Sequence, residues 1–106
     1  MKKIIIIAAL MCGSAQAEFM DGNKLLSDLQ SSDSGDRMFA MGYITGIADS
    51  ARSNTFCPHP NVTIGQMRDA VRQHLDGAPT LRHYSADIIV NYVLKQGWPC
   101  KKGTSL

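Results

Sequence analysis

The sequence predicts an all-α fold, a small bundle of about four helices stapled by one disulfide. Apolar residues recur at helical spacing in four separate segments of the 106-residue chain. No run alternates apolar and polar residues between turn signals, so no substantial sheet is expected. Two cysteines, Cys57 and Cys100, remain as an even pair once the N-terminal segment is set aside.

That N-terminal segment reads as a Sec-type signal peptide. Met1-Lys2-Lys3 is a positive start, Ile4 to Met11 is an unbroken apolar run, and Ala15-Gln16-Ala17 is a small-x-small cleavage site. The expectation is a cleaved segment over residues 1–17 and a single helical domain over 18–106, exported to the periplasm. The apolar run is far shorter than the ~20 residues that span a bilayer, so no membrane association is expected after cleavage. Cys12 follows Met11, which is larger than the residue that normally precedes a lipidated cysteine, so lipidation is disfavoured.

The whole sequence carries a formal charge of +2, but without Lys2 and Lys3 it holds nine basic residues against nine acidic ones. Such a balance lacks the basic patch that nucleic acid or an anionic membrane requires. In an oxidising compartment Cys57 and Cys100 pair. The loop-entropy model gives that bridge roughly 4 kcal/mol as an upper value, a large share of the stability of so small a domain. A catalytic thiol, or a metal set of Cys57, His59 and Cys100, would sacrifice the bridge.

The first helix is expected from Asn23 to Gln30, where Leu25, Leu26 and Leu29 share a face after an Asp21-Gly22-Asn23 turn that offers caps. Ser31 to Asp36 reads as a flexible polar connection. From Arg37 to Arg52 apolar positions cover more than one face, predicting the central, most buried helix. Gly42 and Gly46 each cost about 1 kcal/mol relative to Ala inside a helix, so a close approach is expected there. A second helix of this chain, or a homodimer seam, would supply it. Asp49 opposes the helix dipole late in that helix and is expected to have a partner.

Pro58 and Pro60 force a turn after Cys57. Thr63 then reads as an N-cap with Gln66 completing a capping box, and Val62 and Met67 stand at the positions of a hydrophobic staple. The third helix runs from Ile64 to Asp76, with Met67, Val71 and Leu75 inward, and Gly77 supplies a left-handed stop. Arg68 and Arg72 lie one turn apart on its outer face, either as a solvated surface or as a partner surface. The last helix is expected from Thr80 to Gln96, with Trp98 packed on the bridge or on the core. His59, His74 and His83 show no metal-ligand spacing, and no HExxH, GxSxG or phosphate-loop motif is present, so neither catalysis, a metal nor a cofactor is expected.

With those residues in view, the chain resembles the Rap/Tai family of type VI secretion immunity proteins. The matching pieces are Asp21-Gly22-Asn23-Lys24-Leu25-Leu26, Gly42-Tyr43-Ile44-Thr45-Gly46-Ile47-Ala48-Asp49, Cys57-Pro58, Val62-Thr63-Ile64-Gly65-Gln66, Leu81-Arg82-His83 with Ser85-Ala86, and Trp98-Pro99-Cys100. Members commonly carry a further cysteine pair, which the neighbourhoods of Leu29 and of Met38 to Met41 lack. The resemblance implies a helical periplasmic protein, often dimeric, that binds and blocks a toxic peptidoglycan amidase by occluding its cleft. For that contact the expected residues are Arg68, Arg72 and the Asp76-Gly77-Ala78 turn. An acid-stress chaperone of the HdeA-like kind, with an apolar seam along Gly42 to Ile47, is the alternative, as is a family member with a structural or regulatory binding role.

Overall fold

The computed structural model describes residues 19–101, so the expected signal segment, Cys12 and the cleavage point after Ala17 lie outside the described residues. Among the described residues four α-helices follow one another: α1 (Gly22–Leu29), α2 (Ser34–Ala51), α3 (Ile64–Gly77) and α4 (Ala86–Gly97), with a 3-10 turn at Pro79–Leu81 before the last. Each helix touches the other three. The only sheet-like pairings among the described residues are two isolated bridges, Asp21 with Ser85 and Arg52 with Phe56. The core between the helices is built from Leu25, Leu26 and Leu29 of α1, Ile44 of α2, Met67, Val71 and Leu75 of α3, and Ile89, Val90, Val93 and Leu94 of α4. Phe56 joins it from the loop, fully enclosed.

Local chemistry sets three of the helix starts. The Asp21 carboxylate accepts from the Lys24 amide at 2.9 Å and opens α1. Thr63 opens α3 with both arms of the capping box in place: Thr63 Oγ1 accepts from the Gln66 amide at 3.1 Å, and Gln66 Oε1 accepts from the Thr63 amide at 2.8 Å. Asp33 caps α2 by accepting from the Asp36 amide at 3.1 Å. The Ser/Asp run is therefore not a flexible connection through Asp36. Ser31 Oγ also receives the Asp33 amide at 3.0 Å and lies 2.8 Å from Asp36 Oδ2, so these polar side chains bond to the backbone and start the helix three residues early.

The last helix differs most from the sequence reading, beginning at Ala86 rather than Thr80. A partner distant in sequence takes the bonds a continuous helix needs. The amides of Gly22 and Asn23, which have no acceptor inside α1, donate to the carbonyls of Tyr84 and Arg82, both at 3.0 Å, while the Ala86 amide donates to the Met20 carbonyl at 2.8 Å. The Arg82 and Tyr84 carbonyls are thus taken by the head of α1 and do not serve as acceptors for α4.

Two further expectations are corrected. Helix α2 is not the most buried: only Ala40, Ile44, Ala48 and Ala51 of its 18 residues are enclosed, a narrow stripe, whereas Met38 and Phe39 stand 73% and 61% exposed. Gly77 does not adopt a left-handed stop and is the last residue of α3 itself. That end is closed by Arg82, whose Nε donates to the Leu75 carbonyl at 2.6 Å and whose Nη2 donates to the Asp76 carbonyl at 3.2 Å.

Cys57 and Cys100 form the expected disulfide, with Cα atoms 4.8 Å apart. The Cys57 amide also donates to the Trp98 carbonyl at 2.9 Å, and the Trp98 ring meets Phe56 edge to face at 5.9 Å. The bridge therefore fastens the end of α4 to the loop that leaves α2.

Candidate functional site

Arg68, Arg72 and Asp76 follow one another at four-residue steps along the outer side of α3, so they form one stripe ending at the Gly77–Ala78 turn. Arg72, Asp76 and Gly77 are exposed, and Arg68 is partly covered. The two ends of the stripe are held differently. Arg68 Nε donates to Asp69 Oδ1 at 2.9 Å, an exposed pair of little energetic weight. Asp76 is fastened at two levels, its carboxylate accepting from Gln30 Nε2 at 3.3 Å and its backbone carbonyl from Arg82. The last turn of α3 is therefore tied both to the end of α1 and to the segment that follows it.

The structure adds residues that the sequence reading did not connect to this stripe. Where the first turns of α2 pass α3, a groove of about 480 Å³ is lined by Leu29, Arg37, Met38, Met41, Arg68 and Arg72, with Asp69 as its one carboxylate. Arg37 is held at the rim by donating from Nη1 to the Ser31 carbonyl at 2.7 Å. Arg72 has no hydrogen-bond or ion-pair partner among the described residues. Arg37 and Met38 sit in a segment that reads as an ordinary helix start, and only the packing of α2 on α3 brings them to the arginine stripe.

Gly42 and Gly46 lie elsewhere, on the side of α2 turned to α4, in a shallow groove shared with Tyr43, Ile47, Ser50, Asp87 and Asn91. The expected close approach by a second helix of this chain is absent, since a Cβ on either glycine would meet no atom within 4 Å. Burial first, and the Asp87 carboxylate second, push the Tyr43 hydroxyl above its ordinary pKa, against a backbone bond at Asp87 that acts the other way. Asp49 finds its partner one turn on, with Arg52 Nη2 3.7 Å from Oδ1, both side chains largely in solvent.

A third hollow, of about 340 Å³, lies between the end of α2 and the Cys57–Val62 loop, with Asp49, Arg52 and His59 among the residues that line it. Nowhere among the described residues do three or more His, Cys, Asp or Glu side chains gather in a way that could hold a metal ion. No described helix is long and apolar enough to cross a membrane.

A family model described as Rap1a immunity proteins matches residues 21–100, from the cap of α1 to the second cysteine of the bridge. No curated protein matches the chain.

Proposed function

Because the chain belongs to the Rap1a immunity proteins, we propose that it binds and inhibits a toxic peptidoglycan amidase, delivered to the periplasm by type VI secretion, by covering its catalytic cleft. The family match over the whole helical unit is the observation that carries this reading. The formed disulfide is consistent with an extracytoplasmic location. Inhibition of this kind asks for a rigid, exposed edge rather than a reaction centre. The Arg68–Arg72–Asp76 stripe with the Gly77–Ala78 turn has that character, since Gln30 and Arg82 hold its far end. The protein acts by binding, with no cofactor.

A second copy belongs to the same reading. Two glycines one turn apart on an open helix face cost stability and leave space that a neighbouring backbone can enter, so the Gly42–Gly46 face is the proposed homodimer seam. The test of the function is a pull-down of disulfide-bonded protein lacking residues 1–17 against purified peptidoglycan amidases, followed by hydrolysis of purified sacculi. A stoichiometric complex that stops hydrolysis is the expected result. Failure to bind any amidase, together with protection of unrelated proteins from aggregation at acid pH, would replace inhibition with the chaperone reading.

A further inference from the structure

The geometry points to the groove between α2 and α3 as the seat of an acidic loop of the partner, a segment in which carboxylates flank an apolar residue. This deepens the amidase reading and rests on it, the loop being part of that enzyme. The groove is unusual in its charge. The chain outside residues 1–17 has equal numbers of acidic and basic residues, yet three guanidiniums meet one carboxylate here. Arg72 is unpaired among the described residues, and the bonds found for Arg37 and Arg68 engage one nitrogen of each. A guanidinium has five N–H donors in a planar fork that fits a carboxylate through two parallel bonds, so most of the recognition capacity is unused.

Between these cations the floor is apolar. Leu29 is buried beneath it, Met41 lines it, and Met38 stands 73% exposed at the edge. Methionine is unbranched and polarizable and adapts to an incoming side chain of irregular shape. Arg and Met are also among the residue types enriched at protein interfaces. A wholly apolar segment would strip water from three cations and return nothing to them, which is costly. An acidic segment pairs them while its apolar residue meets the methionines.

The test uses the disulfide-bonded protein and whichever purified peptidoglycan amidase it retains. Arg37→Glu and Arg72→Glu are compared with Lys95→Glu, an exposed site on α4, all checked by circular dichroism and thermal melting for an unchanged fold. Each groove variant should weaken amidase binding about 100-fold or more, as expected when a desolvated charge pair is broken. The Lys95 variant should stay within about threefold, the ordinary value of a surface charge. A Lys substitution at one acidic position of the amidase should restore binding to Arg72→Glu. Tight binding by both groove variants would overturn the groove and leave the inhibitory function standing. Failure of the wild-type chain to bind any amidase overturns both. A change of self-association in Arg72→Glu without loss of amidase binding would assign the groove to a second copy and overturn the proposal.

Discussion

Gly22 has no room for a side chain. A Cβ there would stand 2.7 Å from Ile89 Cδ1 and 2.8 Å from the Arg82 carbonyl oxygen, and the second of these is backbone held by hydrogen bonds. Gly22→Ala is therefore expected to destabilise the fold by about 1–3 kcal/mol, as overpacking does, despite Ala being the better helix former. Urea unfolding measures it, and a neutral result would mean that the head of α1 can shift. Tyr43 and Lys24 both make stability depend on pH in the alkaline range. Burial and then Asp87 raise the Tyr43 pKa above 10.0, and the Asp28 carboxylate, bonded to Lys24 Nζ at 2.9 Å, raises that of Lys24 above 10.5. In both cases the folded chain keeps a proton that the unfolded chain has begun to lose, so stability falls as pH climbs past 10.0 and then 10.5 toward the folded values. Tyr43→Phe should flatten the first part of that fall in a series of thermal melts from pH 8 to 11, tracked by tyrosinate absorbance. An unchanged slope would show that Tyr43 is not its source.

At the level of the helices, some boundaries are set within one turn of chain and others by residues far along it. The starts of α1 and α3 are legible in sequence because Asp21 and Thr63 reach amides three residues away, within one turn. Where α3 ends is legible to within a residue, but what closes it is not, because its acceptors are served by Arg82, a residue beyond the next turn of chain. Arg82→Ala should cost about 1–3 kcal/mol, since a charged donor to partly buried carbonyls is removed. Hydrogen exchange should speed up first in the last turn of α3. Arg82→Lys, with a single point charge in place of a fork, should recover part of the loss. The start of α4 departs from the apolar period for the same reason, its periodic residues continuing upstream into a segment whose carbonyls are claimed by Gly22 and Asn23. Apolar period records which residues face inward, and it is silent about which backbone bonds are already taken.

For the molecule as a whole, the fold class and the disulfide were legible because four amphipathic stripes and two cysteines leave few other solutions. The arginine stripe was legible too, lying on one capped helix. Its groove was not, since Arg37 and Met38 join it only through the packing of α2 on α3. Breaking the bridge by Cys57→Ser with Cys100→Ser should lower stability by about 2–5 kcal/mol and release the Phe56–Trp98 contact, seen as a change in tryptophan emission. A loss well below that range would show that α4 keeps its place through Val90 and Leu94 alone. The bonding of residues 20–23 to residues 82–86 has a temporal side as well. A chain that emerges from a ribosome or a translocation channel N-terminus first presents the head of α1 long before its acceptors exist. Until Ala86 and the rest of α4 have followed, that helix has neither its carbonyl partners nor the α4 face it packs on, so completion of the four-helix core waits for the fourth helix to arrive.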